Sequence, residues 1–312
     1  MAASDGRRES LRGRLLTALA GDPNGTPGWV RALEDGDDDG FFPEDGAAWI
    51  VHGGMGTLVA GIRALLVQAL HPGALAGVHD WSRYREDPIG RLTGTVRWII
   101  CVTYGSRTQA EAETALVGRK HRRVQGEYTA GDGETRGYTA DASDLVTWVH
   151  LAFADAFLRS HQLWGAPIPG GADAYVAEWA TAGRLMRVPE PPTTEAQLRA
   201  AMEGFRTRGE LRRDERVDEV VKFLRKPPFD GAMGLAYRVL FAAAVASLPR
   251  EWRKMLGLRR SPLPVVTLTR LVLRISARAL GSGPRAQDFA RRRLRRLERA
   301  TAAEDAPTPP ER

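Results

Sequence analysis

Residues 47–72, AAWIVHGGMGTLVAGIRALLVQALHP, constrain this chain more than any other stretch. Leu58, Ile62, Leu65, Leu66, Ala69 and Leu70 recur at helical spacing, which predicts one long buried helix stopped by Pro72. A second apolar run, LVTWVHLAFADAFLRSHQLWG at 145–165, places Val146, His150, Phe153 and Phe157 on one stripe. Helices this apolar have to be covered by other elements, and 312 residues suffice to bury a large core in one or two domains. Gly53, Gly54 and Gly56 allow close approach of a flat ligand or of another helix, and helix packing is the expected occupant. His52 and His71 read as core or helix-end histidines bonded to backbone.

Several function classes drop out early. The single cysteine, Cys101 in WIICVTY, excludes a disulfide framework, reads as a small buried hydrophobe and suits a reducing compartment. The polar opening MAASDGRRESLRGRLL gives no expectation of a secretory leader. Arg270, Arg274 and Arg278 interrupt the best spanning candidate, PVVTLTRLVLRISARAL at 264–280, and make it an amphipathic helix. A cytoplasmic protein is therefore expected, meeting membranes at most at their surface. No GxSxG elbow, Walker loop, strand-borne GxGxxG or internal repeat occurs. The net charge of +7 is concentrated in residues 250–299, where fifteen arginines and lysines face three acids. Such a stripe suits anionic membranes, acidic partners or nucleic acid, or is simply a solvated face. Zinc-finger spacing and the aromatic sheet of a nucleic-acid reader are both missing, so nucleic acid is not the expected partner.

Along the chain, 1–45 reads as an irregular segment without a helix of its own, carrying EDGDDDGFFPEDG. Asp87-Pro88 predicts the start of a helix running through Tyr104, on which Arg91, Thr95 and Trp98 share a face. Arg91 has a structural alternative, a salt bridge to Glu86 or Asp87 with Thr95 bonded to its own backbone. A helix over 108–128 would align Val117, His121, Val124 and Tyr128, with Arg119, Lys120, Arg122 and Arg123 at its sides. One imidazole in an apolar wall flanked by cations suits an axially ligated porphyrin with two propionates; it equally describes a satisfied core histidine. His150 adds a second buried imidazole: a co-ligand, a neighbour of the ligand or an unrelated core residue. A non-haem iron site finds no HxxE or HxE spacing at either histidine. Residues 166–230 read as a less compact connector, with Thr193 or Thr194 capping a helix, and the end of the chain reads as disordered.

Four blocks in order, ALLVQALHP, WSRYREDPxxRLxxT, RKHRRVxG and LVTWVHLAFADAFL, resemble the bacterial and fungal family that joins MpaB-type oxygenases to the latex-clearing rubber oxygenases. The resemblance covers about Phe41 to Leu258. It implies an all-α fold, a single multi-helix bundle with a globin-like core and additional helices. The implied layout is an irregular segment over 1–45, the family's helical domain over 46–258, basic amphipathic helices on or beside it over 259–299, and a tail over 300–312. In the rubber oxygenase branch a haem b is held by one proximal histidine, which matches His121, and the distal arginine and threonine match Arg91 and Thr95. Arg119 and Arg122 would serve the propionates, and His150 falls near a second family histidine with a supporting role. The lysine that can cap the distal iron face in that branch is Gly94 here. The resemblance thus implies a haem-dependent oxygenase or oxidoreductase using dioxygen or peroxide on a hydrophobic isoprenoid, lipid or polyketide-like substrate. Walls from Leu65, Leu66, Trp98, Val117 and Phe153 are expected around it. The alternatives are a haem-free helical binder of apolar metabolites and a membrane-surface partner acting through the basic C-terminal segment.

Overall fold

A computed structural model describes residues 21–81, 88–226, 229, 231–281 and 283–304, together with 13, 16 and 17; over 88–92 only the backbone is described. The fold is mainly α, as the resemblance implies, with fourteen α-helices and one two-stranded sheet among these residues. In chain order the helices are α1 (Gly28–Arg31), α2 (Ala47–Gly53), α3 (Thr57–Gln68), α4 (Pro72–Trp81), α5 (Pro88–Tyr104) and α6 (Arg107–His121). The antiparallel hairpin β1 (Gln125–Thr129) and β2 (Thr135–Thr139) follows. Then come α7 (Ser143–Trp164), α8 (Gly171–Leu185), α9 (Glu195–Thr207), α10 (Glu215–Arg225) and α11 (Gly231–Ser247). The chain closes with α12 (Arg250–Met255), α13 (Val265–Leu280) and α14 (Ala286–Glu304).

The 22-residue α7 is the axis of the bundle, with thirteen of its residues buried. It packs against α3, and α2, α4, α8 and α9 also contact it. The long helix expected over 47–72 is instead two helices, α2 and α3, bent by 93° at a short break. The glycines explain the break, because a side chain on Gly54 would lie 3.3 Å from the His161 ring and one on Gly56 3.4 Å from the backbone of Ser160. The end of α7 occupies that space, so these glycines serve helix packing. Pro72 opens α4 rather than closing the helix before it, as suits a residue with fixed φ and no N–H to satisfy.

Two further expectations change. Residues 171–225 form three helices integrated into the core, with Tyr175 and Trp179 almost wholly buried, and are not a loose connector. Thr194 does cap α9, accepting from the Gln197 amide at 3.1 Å. The segment before residue 46 contains α1 and a 3-10 turn over Ala32–Glu34. It is fastened by α14: the fully buried Arg293 donates to the carbonyls of Leu33 at 2.9 Å and Tyr104 at 3.0 Å.

One buried ion pair joins the two central helices. Arg63 on α3 is 1% exposed, contacts the carboxylate of Asp155 on α7 and donates from Nε to Ser247 Oγ of α11 at 3.1 Å. Removing one partner leaves a desolvated charge, at a cost of about 3–5 kcal/mol, whereas replacing both with apolar groups of similar volume is far milder. Urea unfolding of Arg63→Met and Asp155→Leu is therefore expected to show losses in that range, and the double variant to recover most of them. A double variant as unstable as the worse single one would contradict this account.

Candidate functional site

Helices α5 and α6 form an antiparallel hairpin closed at Gly105 and Ser106. Ser106 accepts from the Gln109 amide at 3.2 Å while the Gln109 side chain accepts from the Ser106 amide at 3.1 Å, a capping box that fixes where α6 begins. Farther from the turn, Trp98 Nε1 donates to Thr114 Oγ1 at 3.0 Å, and Arg97 pairs with Glu113. These contacts set the register. Extrapolated along the two helices, it sets Thr95 near the level of Leu116 about one turn outward and the backbone of Arg91 near that of Lys120 and His121 about two turns outward.

Helical spacing places His121 on the stripe of Thr114 and Val117, which faces α5, and Thr95 on the stripe of Trp98, which faces α6. His121 and Thr95 therefore lie on facing sides of one hairpin, and both are half-buried. The helices touch directly at Trp98–Thr114, so a flat molecule between them would have to lie beyond that contact, away from the turn. The side chain of Arg91, and both residues of its expected salt bridge, Glu86 and Asp87, lie outside the described residues. Gly94 is exposed, with open space around its Cβ position.

His121 is the last residue of α6 rather than the middle of a helix reaching Tyr128. Its Nδ1 is buried. Arg119, Lys120, Arg122 and Arg123 stand exposed around it; those in the last turn also complement the helix dipole. Val124 and Tyr128 belong instead to the turn and the hairpin that follow, where Tyr128 and Tyr138 meet edge to face with centroids 6.2 Å apart. Gly73 and Gly77 of α4 leave space for these two rings.

The structure does not draw His150 into that hairpin. Its ring abuts the backbone of α8, since a side chain on Gly183 would sit 2.9 Å from Cε1 and 3.0 Å from Nε2. It makes no hydrogen bond among the described residues, and burial lowers its pKa to about 4. Among the expected walls, Leu66 is fully buried and lines no open space, while Leu65, Trp98, Val117 and Phe153 are half-buried. Trp98 also packs edge-on against Trp179 with centroids 6.1 Å apart, which fixes its indole between α6 and α8. The Trp98–Thr114 bond that sets the hairpin register had a signal in the sequence: an indole N–H on an apolar helix face needs an acceptor.

The other buried histidines are structural. Thr103 Oγ1 donates to the Ile99 carbonyl at 2.7 Å, so it accepts from His52 Nδ1, 3.1 Å away, and Nε2 then accepts from the Tyr175 hydroxyl at 3.0 Å. The network assigns His52 a neutral Nδ1–H tautomer, and burial lowers its pKa to about 3. His71 Nδ1 accepts from the Gly73 amide at 3.2 Å at the start of α4. His161 Nε2 lies 2.8 Å from the Ala166 carbonyl, and burial lowers the pKa of both rings. Cys101 is a buried thiol pushed up to about 12 by desolvation, inert at neutral pH as expected.

Among the described residues, no three His, Cys, Asp or Glu side chains gather as metal ligands. A single imidazole ligand remains open to them. For a haem, the described residues fit in kind: a half-buried histidine, exposed cations beside it in sequence that could meet propionates, and the half-buried Trp98 and Val117 on the facing stripes. These features define a helical domain whose candidate centre is a histidine and a hydroxyl on the facing stripes of one hairpin. Residues 49–282 match the family described as ER-bound oxygenase mpaB/B'/Rubber oxygenase, catalytic domain, and the chain belongs to that family. It therefore carries an oxygenase-family catalytic domain, whose matched span takes in α13 and runs past the 41–258 of the sequence resemblance. No curated protein and no solved structure matches the chain.

The lowered histidines predict a pH dependence. His52 and His150 stay neutral in the folded state while the unfolded chain protonates below about 6.5, so stability is full above that pH and is lost as pH falls toward about 4. Together they contribute a slope of about 2.7 kcal/mol per pH unit in that window. Urea midpoints measured from neutral to acid pH are expected to fall accordingly, and His150→Phe to flatten the fall. An unchanged slope in that variant would mean that His150 is not held neutral by burial.

Proposed function

We propose that this chain is a haem b-dependent oxygenase that acts with dioxygen or peroxide on a hydrophobic substrate of isoprenoid, lipid or polyketide type. One observation carries the reading: inside a segment matching an oxygenase catalytic domain, His121 and Thr95 occupy facing stripes of the α5–α6 hairpin. Haem, when bound, would supply the redox chemistry that protein side chains lack.

The remaining work falls to the chain. His121 would hold the iron through its imidazole, with electron donation favoured by the end of α6. Arg119 and Arg122 would pair with the propionates at the solvent edge, and His150 would act only through packing, from α7. Thr95 and Arg91, the latter by family resemblance, would donate hydrogen bonds to the negative charge that develops on the oxidant. Leu65, Trp98, Val117 and Phe153 would exclude water and favour an apolar substrate over a polar one.

The test is an absorption titration of the purified full chain with haem. One equivalent is expected to bind with a Soret band, and His121→Ala to lose that band while keeping its helical circular dichroism. Thr95→Val is expected to keep the band and lose about a hundredfold in turnover, the scale of one removed oxyanion donor. If wild-type protein takes up no stoichiometric haem, or His121→Ala binds it equally well, the assignment fails.

A further inference from the structure

The C-terminal arginines divide into two groups that the sequence does not separate. Four of the six on α14 are used inside the molecule: Arg291 pairs with Glu44 at 2.6 Å and Asp45 at 2.7 Å, Arg292 with Glu34 at 3.2 Å, Arg293 is buried on carbonyls, and Arg296 donates to the carbonyls of Glu34 at 3.1 Å and Gly36 at 2.7 Å, while Arg295 and Arg299 are exposed. Those of α13 and the segment before it point outward. Arg259, Arg260, Arg270, Arg274 and Arg278 are all exposed, and none makes an ion pair or side-chain hydrogen bond among the described residues.

Aliphatic side chains stand between them. Leu263, Leu271 and Ile275 are 62%, 54% and 55% exposed, three of the five large hydrophobic side chains that protrude from the described surface. Leu271 and Ile275 are four apart, beside Arg270, Arg274 and Arg278 on the same outward face, while Val265, Thr269 and Leu273 turn inward. On α11, against which α13 packs, Leu235 is 62% exposed and Arg238 is exposed too. Protruding aliphatic groups are disfavoured in water and serve no purpose in a purely solvated basic face.

We propose that the outward face of α13 docks on an anionic phospholipid surface. The helix lies in the plane of the interface, Leu271 and Ile275 enter the boundary between headgroups and acyl chains, and the arginines meet lipid phosphates. Charge complementarity selects this occupant. A second copy would set the same arginines against each other, and a nucleic acid would leave the aliphatic side chains unused. No described helix is long and apolar enough to cross a bilayer alone, so the contact is peripheral.

Flotation of the full chain with vesicles tests this. Vesicles containing phosphatidylglycerol are expected to carry the protein upward, pure phosphatidylcholine vesicles are not, and added salt should weaken the association. Arg270→Glu with Arg274→Glu, and separately Leu271→Gln with Ile275→Gln, are expected to lower the partition coefficient at least about tenfold with unchanged circular dichroism and thermal midpoint. Wild-type protein that stays in the aqueous fraction, binds neutral vesicles equally well, or binds duplex DNA in preference to anionic vesicles would overturn the proposal. Vesicle binding that survives in both variants would overturn it as well.

Discussion

The pairing of Arg63 with Asp155 is the constraint on which the rest of the architecture depends. Each charge is buried in the core, on α3 and α7 respectively, and needs the other as its counter-charge. The pair fixes α3 against α7, and Ser247 ties in α11, which in turn carries α13. Once α7 is fixed, its C-terminal turn lies over Gly54 and Gly56 and breaks the apolar run before α3. A charged contact is weak evidence of net stability, but it selects one arrangement among many that would bury similar apolar area.

The candidate centre lies beside this scaffold. The α5–α6 hairpin is held at its closed end by the capping box and in the middle by Trp98–Thr114, while Trp98 connects it to Trp179 and the core. His121 lies near the opposite end, where the two helices are no longer tied by those bonds. A hairpin fixed at its closed end gives the groups farther along it a rigid base, which positioning groups need. The buried histidines elsewhere, His52 above all, are bonded or packed in the neutral state and are better understood as structure than as chemistry.

Much of the helix content was legible because apolar spacing reports burial directly. The span of α5 from Pro88 to Tyr104 agrees with the sequence reading, and α7 differs from it by no more than two residues. The helix over 108–128 instead stops at His121, although Val117, His121, Val124 and Tyr128 satisfy a helical period. The competing signal was local: QGEYTA and TRGYTA flank a Gly-Asp-Gly turn, a hairpin pattern of aromatic and β-branched residues around a glycine with φ of +92°. The prolines and glycines of 166–230 mark loop boundaries and give the segment the composition of a connector, although YVAEWATAGRLM resumes helical spacing within it and Tyr175 and Trp179, four apart on that helix, fill the core.

By itself the sequence determined that this chain is helical, where its apolar helices lie and which family it resembles, because spacing and ordered motifs are properties of the chain alone. Only the tertiary structure decided which charges meet. Arg63 and Asp155 are 92 positions apart, and Arg293 reaches a carbonyl 260 positions away, distances across which composition gives no partner. It also decided that four arginines of α14 meet acceptors within the molecule while α13 presents its own to solvent. Identical residue types acquire opposite roles according to whether a neighbouring element offers acceptors, and that is a fact about packing rather than about sequence.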